Sequence, residues 1–263
     1  MQAVTGVFSS QAEADRAVET LTMNGVPADK ITLLTPGNTQ KELESVPVDA
    51  TEQPGIGKAI GAVVGAAGGL SGGTLLVAAV VPGVGPVTAV GLLGAAVLAA
   101  AGATVGAAAG GALEDFTSEG LPEDEIFVYE DALRKGRTVV MVDAEDAADA
   151  ARLRDLLKSK GAEAIDAARQ QWWIGLRSAE SEHYATSGRN FRNDEKFYRL
   201  GFEDALHART RCKEFDQVSA EMASHLEDLE RQYPGVEVAE AYTRGYERGR
   251  EYYQHLCDES KAA

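Results

Sequence analysis

The chain opens on an apolar run, Ala3 to Phe8, followed by Ser9-Ser10 and then by apolar positions at Ala14, Ala17, Val18 and Leu21. Steps of three and four trace one face of a helix, serine at its boundary is a favoured N-cap, and Gly25 supplies a left-handed stop. Lys30 to Thr35 returns to a strand pattern, so this segment predicts a βαβ unit. The pattern recurs as a strand over Thr138 to Val142, a helix from Glu145 to Lys160 closed by Gly161, and a strand near Glu163 to Ala168. An offset of 136 residues places Ala14 on Ala150, Ala17 on Leu153, Leu21 on Leu157 and Gly25 on Gly161. Two such units predict an α+β domain whose ferredoxin-like, pseudo-symmetric βαβ repeats carry their helices on one face of a sheet. A polar helix from Pro122 to Lys135 precedes the second unit, with Pro122 in its first turn and Glu123, Asp124 and Glu125 at its positive end.

Between the units the alternation stops. No charged residue occurs between Lys58 and Glu114, and Gly57, Gly61, Gly65, Gly69 and Gly73 recur at every fourth position. After the Pro82-Gly83-Val84-Gly85-Pro86 break, Gly94, Gly102, Gly106 and Gly110 resume the interval, with Leu98 filling the gap. Glycine inside a helix costs about 1 kcal/mol relative to alanine. Repeating it on one face makes sense where a second backbone approaches, so the stretch predicts a glycine-rich α-helical hairpin that packs and self-associates along its glycines. Each arm, as a helix, would be about 37 Å long, against a hydrocarbon core of about 30 Å. The expected placement is a membrane-inserted hairpin that makes the protein membrane-associated; the alternatives are a soluble homo-oligomer whose hairpins form an apolar bundle or chamber for a lipid-like ligand or partner enzyme, and a hairpin buried within a monomer. The acidic flanks at Glu52, Glu114, Asp115 and Glu119 count against insertion, as does the weak hydrophobicity of alanine and glycine.

Past Gln170 the composition turns polar and aromatic. Trp172-Trp173 suits either a bilayer interface or ordinary packing, and a polar linker runs on to Asn190. Three helices are expected beyond it, Asp194 to Lys213, Asp216 to Gln232 and Val238 to Cys257, with a break at Tyr233-Pro234-Gly235. The outer two share a spacing: Tyr198, Gly201, Phe202 and Ala205 match Tyr242, Gly245, Tyr246 and Gly249. Small residues four apart predict a close helix contact through Gly201, Ala205, Gly245 and Gly249. The chain thus divides into 1–54 (first half and linker), 55–113 (hairpin), 114–170 (second half), 171–190 (linker) and 191–263 (three-helix tail).

Charge and chemistry narrow the function. The net charge of −16 disfavours nucleic acid, which needs clustered Lys and Arg. Two cysteines, Cys212 and Cys257, make no disulfide framework, and Met1 to Phe8 lacks the basic-then-apolar pattern of a secretory signal, so the polar domains are expected in a reducing cytoplasm. No nucleophile triad, phosphate loop or dinucleotide fingerprint occurs, so neither catalytic residues nor a cofactor are expected. Glutamate precedes histidine by four at Glu203 and His207, Glu221 and His225, and Glu251 and His255. Such pairs are usually exposed helix contacts, and the Glu-x-x-His spacing of di-iron bundles is missing, so no metal is expected.

Val4 to Phe8, the helix ending at Gly25 and Ile31 to Leu34 resemble the bacterial general stress protein (heat-induced stress protein) domain. Gly120-Leu121-Pro122-Glu123-Asp124-Glu125, continuing to Gly136 and Thr138 to Val142, is similar to the second half of that family. The resemblance covers residues 1 to 170, and the tail from Phe197 to Tyr246 resembles a short helical module found attached to such proteins. It implies a glycine-zipper insert and a non-enzymatic role in bacterial stress. The partners expected are a second copy of the chain and, in the inserted reading, membrane lipid.

Overall fold

The computed structural model describes residues 2–37, 63–65, 76–103 and 122–262. They form a mixed α+β chain of two compact units, Met1–Pro122 with Val128–Ala168, and Glu123–Phe127 with Arg169–Ala263.

The first unit contains β1 (Gln2–Phe8), α1 (Gln11–Met23), β2 (Ile31–Pro36), β3 (Val63–Gly65), β4 (Leu76–Val81), β5 (Gly85–Val90) and α2 (Leu92–Ala100). After α3 (Ile126–Arg134, in this unit from Val128 onward) come β6 (Thr138–Ala144), α4 (Ala147–Ser159) and β7 (Glu163–Ala164). The strands build one sheet in the order β3-β4-β5-β2-β6-β1-β7, antiparallel at every pairing. The central register sets Val4 against Val142 and Ile31 against the same Val142.

Two helices cover one face of this sheet for the same local reasons. The Ser10 side chain accepts from the Glu13 amide at the start of α1, and Asp146 accepts from the Asp149 amide at the start of α4. Gly25 (φ 82°) and Gly161 (φ 92°) turn the chain out of the two helices, and the next amides, of Val26 and Ala162, return to the carbonyls of Leu21 and Leu157. Ala14, Ala17 and Leu21 meet Ala150, Leu153 and Leu157 over Val4, Phe8, Ile31, Val140 and Val142 in one core cluster. Burying each large aliphatic side chain there contributes roughly 1.5–3 kcal/mol. Gly6 lies under α4, where a Cβ would come 2.8 Å from that of Ala162. The opposite face is covered too: Tyr129 of α3 meets the Thr5 hydroxyl at 3.1 Å, and Gly94 of α2 rests on Thr32 and Ala89.

Several expectations are corrected. Residues 76–90 form a β-hairpin, not helical arms, and Val63–Gly65 is a strand. The cause lies in the residues themselves: Val77, Val80, Val81, Val87, Thr88 and Val90 are β-branched and favour a pleated surface. The four-residue glycine interval lapses between Gly73 and Gly94, where Gly83 (φ 75°) and Gly85 (φ 104°) instead make the turn. Leu92–Ala100 is helical, as expected of the second arm. The strand anticipated near Glu163 to Ala168 is only two residues long, because a helix starts at Ile165. Helices lie on both faces of the sheet rather than one.

The second unit holds α5 (Ile165–Ala185, from Arg169 onward), α6 (Phe191–Asp204), α7 (Phe215–Gln232) and α8 (Val238–Ala262). The linker expected at 171–190 is mostly helix. Trp173, Glu180 and Tyr184 are buried on it at helical spacing, so packing overrides a polar sequence. Helix α6 ends at Asp204 instead of Lys213, and α8 runs five residues past Cys257.

Candidate functional site

The second unit is organised by the crossing of α6 and α8. A Cβ on Gly201 would overlap the carbonyl oxygen of Tyr242, and one on Gly245 would overlap the carbonyl oxygen of Tyr198. The contact is reciprocal, each glycine meeting the main chain at the tyrosine three residues before the other glycine. Gly249 lies against Phe202, and a Cβ there would come 3.0 Å from that of Ala205. Backbones this close leave room for Cα–H···O contacts across the crossing. All four small residues named from the sequence therefore sit at this contact.

Aromatic rings fill the space around it. Trp172 packs edge-on to Phe127 (4.8 Å) and Phe202 (5.8 Å), and Trp173 lies beside Tyr198 and Phe202. Both indoles are at most 3% exposed, which makes them core residues of this unit and not interfacial anchors.

Carboxylates are buried among these rings, each with a cation or tyrosine. Glu180 accepts from Tyr198 Oη at 2.8 Å and from Arg248 through Nε (3.0 Å) and Nη2 (3.1 Å). Asp194 accepts from Tyr184 Oη at 2.8 Å and Arg189 Nε at 2.9 Å, while Arg189 also reaches Glu237 and Glu240. Asp204, only half-buried, accepts from Tyr242 Oη. Burial, reinforced by Asp194, pushes the Tyr184 phenol up to about 12. Burial and the neighbouring carboxylate likewise raise Tyr198 and Tyr242 well above the ordinary phenol range. These phenols are proton donors locked into the fold, the reverse of an activated base. The tyrosines are visible in the sequence but their partners are not, since no spacing links Glu180 to Arg248.

His207 and His255 do not pair with the glutamates four residues before them, and the Glu221 side chain lies outside the described ones. Glu203 pairs with Arg199 and Arg169, and Glu251 with Arg248. His207 Nδ1 lies 3.5 Å and His225 Nδ1 3.8 Å from Asp204, and His255 Nδ1 is 3.4 Å from Glu259. Burial holds the His207 pKa below its ordinary value, with Asp204 opposing. Among the described residues no group of three His, Cys, Asp or Glu could hold a metal ion. Cys212 is exposed at φ 64°, Cys257 is half-buried, and neither is in a disulfide.

The mid-chain glycines meet different fates. Gly65 ends β3, and Gly94 brings α2 onto the sheet, where a Cβ would come 2.7 Å from that of Ala89. Gly102 (φ 83°) closes α2. Gly57, Gly61, Gly69, Gly73, Gly106 and Gly110 lie outside the described residues. Arg134 Nε donates to the Gly83 carbonyl at 2.7 Å and ties the β4–β5 turn to α3. Among the described residues no helix is long and apolar enough to cross a membrane. No protein-family model, no curated protein and no solved structure matches the chain.

Proposed function

We propose that this chain is a non-enzymatic stress-response protein that acts by self-association, with its glycine-rich segment serving as part of the α/β unit and not as a tether. The observation that carries the reading is the β4–β5 hairpin. Uncharged residues that could have formed a free apolar arm are hydrogen-bonded onto β2 from Leu33 to Pro36 and covered by α2. Val80 is 50% exposed and stands opposite exposed Pro86, an apolar strip suited to the same strip of a second copy. The strand order β7-β1-β6-β2, with α1 and α4 on one face, supports a ferredoxin-like reading of the unit. The spans of β1 and α1 also coincide with those of β6 and α4 at the 136-residue offset. Together they favour the stress-protein resemblance.

Membrane attachment through the same segment is the competing reading, favoured by the lack of charge from 59 to 113. Light scattering on detergent-free protein, alongside flotation with liposomes, separates the two. A monodisperse multimer that stays with the protein fraction, and falls to monomer in Val80→Asp, is expected. Flotation with lipid would transfer the segment to the membrane role, and a lipid-indifferent monomer would end both readings.

A further inference from the structure

The chain is strongly acidic, yet one groove in its second unit carries the opposite sign. It is an open groove between α5 and α6 with about 570 Å³ of space, and its lining includes four cations, Arg177, Arg192, Lys196 and Arg199. That volume is within the range of small-ligand pockets, about 300–1,000 Å³. Two of the cations are fixed and neutralised. Arg177 holds Glu195 through Nε and Nη2, both at 2.6 Å, and Glu195 also accepts from Trp173 Nε1 at 3.1 Å. Arg199 pairs with Glu203, donates to Gln170 Oε1 at 2.6 Å, and lies 5.6 Å over the Trp173 ring.

The other two are not neutralised. Arg192 and Lys196 lie one turn apart on α6, and neither has a carboxylate partner among the described residues. Arg192 is exposed and its guanidinium meets no acceptor there, while the Lys196 ammonium donates to the neutral Tyr233 hydroxyl and sits 4.2 Å from that ring, which leaves its charge uncompensated. Counting Glu195 and Glu203, the groove keeps two positive charges in a chain of net charge −16. A phosphate monoester carries about −1.5 to −2 at neutral pH, which matches that surplus. Guanidinium forks and ammonium point charges are also the side chains that grip phosphate oxygens.

We propose that this groove binds a phosphate monoester, with Arg192 and Lys196 contacting the phosphate and the Arg177–Glu195 and Arg199–Glu203 pairs holding the walls in place. The ligand is either a soluble phosphomonoester or a monoester headgroup such as that of phosphatidic acid. The inference is independent of self-association.

Calorimetry of the full chain with phenyl phosphate at low ionic strength, and cosedimentation with phosphatidylcholine vesicles containing phosphatidic acid, test it. Saturable binding to at least one probe is expected, weakened about tenfold or more in Arg192→Ala/Lys196→Ala, a change of about 1.4 kcal/mol. The control Arg154→Ala/Lys158→Ala alters net charge equally on exposed positions of α4 and should bind as the parent does. Binding of phenyl phosphate alone assigns a soluble ligand, and binding of vesicles alone assigns the headgroup. Absence of saturable binding to both probes, or equal loss in the control, overturns the site.

Discussion

At the crossing of α6 and α8, two missing methyl groups let the helices meet. In Gly245→Ala the new Cβ would press on a main-chain oxygen that no rotamer change can move aside. Overpacking of this kind costs typically 1–3 kcal/mol or more, which outweighs the gain of about 1 kcal/mol in helix propensity. A net loss of about 2 kcal/mol is expected in the denaturant unfolding of the second unit. Gly175 is the matched control: it lies in α5, and a Cβ placed there would meet nothing within 4 Å, so Gly175→Ala should stabilise by about 0.5–1 kcal/mol. Equal effects at the two positions would contradict the close approach. His207 gives a second test. Its folded pKa is held down by burial, so the unfolded chain takes up the proton first as pH falls below about 6.5. Stability should therefore decline on acidification through that range, and His207→Gln should remove this part of the slope when unfolding is followed at several pH values.

Among the elements, α5 is most dependent on its partners. Glu180 is 2% exposed and held by the Arg248 fork and the Tyr198 hydroxyl. Arg248→Leu strands that carboxylate and should cost about 3 kcal/mol, whereas Glu180→Gln keeps an acceptor for Tyr198 and should cost less. Thermal unfolding followed by tryptophan fluorescence reads this directly, since both indoles belong to this unit. Helices α1 and α4 are legible in the sequence because caps, apolar spacing and glycine stops agree locally. By contrast α5 is hidden: its buried residues include Trp172, Trp173, Glu180 and Tyr184, and the charged member becomes acceptable only beside Arg248 from far along the chain. The β4–β5 hairpin is masked because the glycine interval on both sides suggests one continuous pattern. The valines between are the better guide. In the tail, small residues and their spacing point to the helix contact, but the ion pairs around it are long-range and leave no local trace.

For the whole molecule, the deciding question is where the uncharged middle of the chain goes. Built into the sheet, its hairpin is a structural layer, and in the proposed reading its apolar strip serves assembly; released from the sheet, it would be available for lipid. The most direct measurement is amide hydrogen exchange on the intact chain without detergent or lipid. Protection is predicted over Leu76–Val81 and Gly85–Val90 at amides paired in the β2, β4 and β5 ladders. Rapid exchange throughout those strands, or protection that appears only when liposomes are added, would contradict it.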